Sequence, residues 1–137
     1  MLRGLVINGV YKHFKGDIYG VIELSEPMEL EEISKIAESN KLRIEAYRVS
    51  HTEKDMDIYI YELSDGVDTH YYHNERIEKS NLVIYKCLSN LNKYKVYARP
   101  VAMFLSKVDF DKYPEAEQEY RFEELKEPKV LFCKVGE

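Results

Sequence analysis

Apolar and polar residues alternate with a period of two along most of this chain, a pattern that suits a half-buried sheet and little else. Leu42, Ile44 and Ala46 alternate with Arg43, Glu45 and Tyr47, and Ile58 and Ile60 alternate with Tyr59 and Tyr61, reading as a strand and its hairpin partner across polar turn material at Val49 to Met56. Tyr11 to Asp17 alternates and then breaks at Gly16-Asp17, as a strand entering a turn does, and Ile18 to Leu24 reads as the returning strand. Asp68 to His73 reads as a short strand or loop after the Ser64-Asp65-Gly66 turn. Leu82 to Leu88 is almost unbroken apolar sequence apart from Lys86, which predicts a central strand. Asn90 and Asn92 supply turn chemistry before Tyr94, Val96 and Ala98 alternate up to Pro100. Val101 to Val108 fits a short turn or 3₁₀ segment leading to a strand, and Leu131 to Val135 reads as a last edge strand.

The period changes once. Ser25 is placed to cap a helix, Pro27 suits its first turn, and Glu26, Glu29, Glu31 and Glu32 suit the positive end of its dipole. Leu30, Ile33 and Ala37 then recur at helical spacing beside Ile36, with Asn40 as the stop. One amphipathic helix of about three turns follows, with its apolar stripe on the sheet. The predicted class is α+β, mostly β, in a single domain over 1–137.

The 137 residues carry a net charge of −5, so the basic surplus by which proteins grip nucleic acid is missing. A local cationic pocket for a small anion needs only a few Lys, Arg and His. Twelve tyrosines and no tryptophan give an aromatic content suited both to strands and to the walls of binding sites. Cys87 and Cys133 lie in apolar alternating segments and read as reduced, buried, small hydrophobic residues. With no signal-peptide pattern at the start and no apolar run of spanning length, the expectation is a cytoplasmic protein without a membrane segment.

Three segments together resemble a known family. They are Tyr11-Lys12-His13-Phe14-Lys15-Gly16 with Ile18 to Ile22; His73-Asn74-Glu75 followed by Leu82-Val83-Ile84-Tyr85-Lys86; and Arg99-Pro100 through Val108 with Arg121-Phe122-Glu123. The ordered triple resembles the bacterial and phage domain of unknown function 1653. The resemblance implies a small SH3-like β-barrel with its core in 9–27 and 72–123, an inserted strand–helix–strand unit at 28–71, and a C-terminal strand in 124–137. His51-Thr52-Glu53 competes with His73-Asn74-Glu75 for one family position; the second is preferred because Leu82 to Tyr85 follows it and leads to Arg99-Pro100. The family carries no settled activity, so the resemblance supplies a fold and little chemistry.

The candidate ligand-binding residues are Tyr11, Lys12, His13, Phe14, Lys15, Tyr72, His73, Arg99 and Arg121. In a barrel these groups sit on neighbouring strand ends, where Arg offers a planar fork to phosphate or carboxylate and aromatic faces stack on a base. The competing reading has Arg99 and Arg121 paired with glutamates as clasps. His70 and His73, three apart on a strand, point to opposite faces, which is poor geometry for one metal ion, and no metal or other cofactor is expected. No catalytic motif is present; phosphodiester cleavage with His13 or His73 as acid or base is the enzymatic alternative. The expected function is non-enzymatic binding of a small anionic, nucleotide-derived ligand, by analogy with phage anti-defence sponges that sequester immune signals. The alternative is an SH3-like adaptor for a protein or nucleic acid, against whose nucleic-acid form the negative charge weighs. Tyr59 and Tyr61, on one strand face, suggest a subunit contact and hence a homodimer or higher oligomer.

Overall fold

The computed structural model describes residues 4–89 and 94–125; the turn residues Asn90 and Asn92, the edge strand at Leu131 to Val135 and Cys133 lie outside the described residues. Eight strands and two helices run in the order β1 (Val10–His13), β2 (Ile18–Met28), α1 (Leu30–Ser39), β3 (Arg43–His51), β4 (Met56–Ser64), β5 (Thr69–Asn74), β6 (Leu82–Cys87), β7 (Val96–Pro100), α2 (Val101–Phe104) and β8 (Phe122–Glu124). The fold is α+β and mostly β. Strands pair in the order β5-β4-β3-β7-β6-β2, and β5 pairs again with β2, so six strands close into a barrel. β1 and β8 continue from the first half of β2 as a flap. A bulge at Ile22, between Val21 and Glu23, bends β2 where it leaves β1 for β5.

The continuous apolar run of β6 is explained by burial on both faces. Leu82 and Ile84 point into the barrel with Val49, Ile58, Ile60 and Ala98. Val83 and Tyr85 point outward into a second core with Tyr11, Val21, Phe104 and Phe122. The helix α1 lays Ile33 and Ala37 on Leu63, with Tyr61 and Tyr72 beside them, which forms a third cluster.

Two expectations are corrected. The segment 28–71, expected as an inserted strand–helix–strand unit, supplies helix, strand and strand, and β3 and β4, with β5 following at the segment's end, are walls of the barrel itself. Its closure depends on two short parallel seams, β2 with β5 and β3 with β7, and these long-range pairings leave no trace in local periodicity. Ser25 is not a helix cap either. It lies in β2, fully buried, and the helix starts four residues later from extended Glu29, with no side-chain cap.

Histidines pin both seams. The buried His73 accepts the Ser25 hydroxyl proton at Nδ1 (2.7 Å), and its Nε2–H is shared between the carbonyls of Glu78 (3.1 Å) and Ser80 (3.0 Å). The buried His51 accepts the Lys54 N–H at Nδ1 (3.2 Å) and donates from Nε2 to Glu78 Oε1 at 2.7 Å. Burial holds His73 below its ordinary value of 6.5, against the pull of the two carbonyls. Protonation therefore opposes folding, and this contribution is present above about pH 6.5 and falls away on acidification. His73→Ala is expected to cost about 3 kcal/mol in urea unfolding near neutral pH, because it strands two acceptors and the Ser25 hydroxyl in the interior.

Candidate functional site

The tip of the β1–β2 hairpin sets the first wall. Gly16 turns the chain at a φ of +112°, which an L side chain resists, and the His13 N–H meets the Asp17 carbonyl at 2.8 Å. This presents His13, Phe14 and Lys15 at one end of the second core. The Phe14 N–H donates to the Arg121 carbonyl at 2.9 Å, which fixes the start of β8 against the hairpin.

Arg99 supplies the second wall. Alternation along β7 sends Val96 and Ala98 into the barrel and Tyr97 and Arg99 to the outer core. Arg99 Nε donates to Thr52 Oγ1 at 3.0 Å, and its guanidinium lies 5.5 Å from the Phe122 ring centre. The third wall is the 109–113 turn, where Asp109 Oδ1 accepts the N–H groups of Asp111 and Lys112 and the Asp109 carbonyl accepts that of Tyr113. Tyr113 meets Phe14 edge-on at 4.9 Å, with Lys15 Nζ 5.0 Å and Lys112 Nζ 5.4 Å from its ring centre.

These walls enclose a cavity of about 240 Å³ lined by His13, Phe14, Lys15, Arg99, Asp109, Lys112, Tyr113 and Arg121. A smaller space of about 120 Å³, walled by Tyr19, Thr52, Tyr85, Tyr97 and Phe122, adjoins it through His13 and Arg99. Four cations thus face one space in a chain of net charge −5. None of them has a carboxylate within 4 Å among the described residues, where the ion pairs are Lys35–Glu32, His51–Glu78, Arg76–Glu29 and Lys107–Glu119.

The field of that cluster registers on its neighbours. Burial, then the charges of Arg99 and Lys15, with Arg121 adding to them against Asp17, pull His13 down to about 4. It is neutral at physiological pH, its Nδ1 accepts the Lys15 N–H at 3.1 Å, and its Nε2–H remains a donor. The Tyr113 hydroxyl is also shifted down, chiefly by its hydrogen bond with Lys15. Such a cleft favours an anion that accepts hydrogen bonds from guanidinium and ammonium groups together.

Of the residues singled out in the sequence, His13, Phe14, Lys15, Arg99 and Arg121 meet at this cavity. The others lie elsewhere. Tyr11 is buried in the outer core, where its hydroxyl accepts the Val6 N–H. Lys12 alternates to the exposed face of β1. Tyr72 lies in the cluster beneath α1, and His73 is the buried seam clasp. Lys112 and Tyr113 escaped the sequence reading because they stand in an aperiodic turn; the Asp109-x-Asp111 start and Pro114 were its available signals. Tyr19 and Tyr97 read there only as strand residues.

Ser25 and His73 resemble a nucleophile and base, but Ser25 is fully buried, out of reach of a substrate. No group of three or more His, Cys, Asp or Glu side chains is arranged to hold a metal ion among the described residues. No helix among them is long and apolar enough to cross a membrane.

Comparison with known proteins adds one match. Residues 67–124 match the family model described as Protein of unknown function (DUF1653). No curated protein and no solved structure matches the chain. The matched stretch runs from β5 through β8 and contains Arg99, Lys112, Tyr113 and Arg121, whereas His13, Phe14 and Lys15 precede it. The Arg99-Pro100 corner and the Arg121-Phe122 end both fall within the stretch of this chain that is similar to that family.

Proposed function

We propose that the protein is a non-enzymatic receptor for a small anionic ligand derived from a nucleotide. Its phosphate sits among Lys15, Arg99, Lys112 and Arg121. The observation that carries this reading is the convergence of four cations from four separate stretches of chain on one cavity, each without a carboxylate partner among the described residues. Mutual repulsion of this kind destabilises the free protein and is relieved by a bound anion. Phe14 and Tyr113 on one side and Tyr19 and Tyr97 on the other offer aromatic surface for a base or ribose. The neutral His13 adds a donor. In this role the protein holds its ligand intact, as a sponge for a nucleotide-derived signal would.

Calorimetry against a panel of cyclic dinucleotides and ADP-ribose-type nucleotides tests the proposal. One-to-one binding by a member of the panel is expected, weakening steeply with salt, and absence of heat across the panel contradicts it.

The pH dependence has a defined sign. Burial and then the charges of Arg99 and Lys15 hold His13 near 4; an anion in the cavity offsets the charges, so the bound state takes up protons more readily than the free one. Affinity for a cyclic dinucleotide, whose phosphodiesters keep a constant charge between about pH 5 and 8, is expected to rise as pH falls through that range, with proton uptake visible as a buffer-dependent heat.

A further inference from the structure

The barrel has a second cavity, away from the cationic cleft and of opposite character. It holds about 280 Å³ at one mouth of the closed sheet, and each of the six barrel strands contributes to its wall. Its floor is aliphatic: Val49, Ile60 and Ile84 are buried beneath it, and Ile22 and Val96 are half-buried at its sides. Apolar side chains facing open space forgo contacts that the packed interior around Ile58 and Leu82 makes, so this end of the barrel is unfilled.

The rim is acidic. Glu45 and Glu62 stand directly opposite each other across β3 and β4, and Tyr71 is opposite Glu62 across β4 and β5, so the three share the inward face. Like charges in this relation repel. That repulsion is eased by the Tyr47 hydroxyl, which donates to Glu45 Oε2 at 2.6 Å and lies 3.4 Å from Glu62 Oε1, and by the Tyr71 hydroxyl, which is hydrogen-bonded to Glu62. Glu23 lines the same mouth, and none of Glu23, Glu45 and Glu62 has a Lys or Arg within 4 Å among the described residues. Arg48 lies at this rim too, but its guanidinium donates to the Tyr59 hydroxyl at 3.3 Å and packs 5.7 Å from that ring centre. Tyr47 stays 44% exposed, so a large aromatic face borders the opening beside Tyr71.

We infer that the barrel mouth is a second binding site, for a small organic cation with an apolar body. The body fills the aliphatic floor, and the ammonium group lies between the Glu23 and Glu62 carboxylates and the faces of Tyr47 and Tyr71. A cation there separates the opposed glutamates electrostatically, as an anion separates the cations of the cleft. The raised proton affinity of Tyr71, shifted up to about 12 by burial and then by Glu62, agrees with a negative field at this mouth.

The test uses benzyltrimethylammonium as probe, followed by the methyl resonances of Val49, Ile60 and Ile84. Saturable shifts of these methyls are expected, with affinity at least about tenfold weaker in Glu62→Gln, and with tetramethylammonium, which lacks the body, binding more weakly still. Arg99→Glu should leave probe binding unchanged, which separates this site from the cleft and from the fate of the nucleotide proposal. Unmoved methyls, equal binding by Glu62→Gln, or equal binding by benzoate would each overturn it.

Discussion

Arg99→Glu is expected to weaken nucleotide binding by more than about 100-fold while the barrel remains folded. Arg99 is the one cation shared by the cleft and the adjoining aromatic space, and its guanidinium is already oriented by Thr52 and the Phe122 ring. Held in this way, it loses little rotamer freedom on meeting a phosphate, so most of its interaction appears as affinity. Reversing its sign also places a carboxylate among Lys15, Lys112 and Arg121, where it pairs with them in the ligand's place. Lys12→Glu is the matched control: the same charge change, on the opposite face of β1, should leave affinity within about twofold once general screening is allowed for. Calorimetry of the two variants, with far-ultraviolet circular dichroism to confirm folding, separates a local effect from one of net charge.

The largest effect on stability is expected from Phe104→Ala. Phe104 is fully buried on α2, stacked on Phe122 with centroids 4.1 Å apart and planes at 9°, and it meets Tyr85 at 5.2 Å and Tyr11 at 5.3 Å. Truncation removes the centre of the outer core and leaves a cavity that rigid aromatic neighbours cannot close, a loss of about 3–5 kcal/mol in urea unfolding. β8 is three residues long and pairs with β1, and Phe122 anchors it in this packing. Loss of Phe104 should therefore loosen Arg121 as well, and ligand affinity should fall along with stability.

The residues that announced themselves in the sequence were those whose role is local. Alternation placed Ile58 and Ile60 inside and Tyr59 outside, Gly16-Asp17 marked a turn, and the helical spacing of Ile33 and Ala37 marked the face that is buried. What escaped was set by distant partners. Ser25 looks like a helix cap until its hydroxyl donates a hydrogen bond to His73, forty-eight residues later. The segment 28–71 takes its place in the barrel wall when β3 finds β7 and β5 finds β2, pairings whose geometry no local pattern carries.

The site divides along the same line. His13, Phe14, Lys15, Arg99 and Arg121 lie at strand ends or turns that the sequence pattern locates. Tyr11 and Lys12 share that strand, yet one is drawn into the core by Phe104 and the other turned outward by alternation. Tyr72 was drawn beneath α1, a contact its own segment does not foretell. Lys112 and Tyr113 enter because Asp109 folds the turn that carries them back over the hairpin.

The convergence of four cations on one space is open to direct measurement through the ring that lies among them. The His13 imidazole should be titrated by nuclear magnetic resonance, alone and with saturating inorganic pyrophosphate. The expected result is a midpoint of about 4 in the free protein that moves upward when the anion is bound. A midpoint at the ordinary 6.5 that pyrophosphate leaves in place would contradict it.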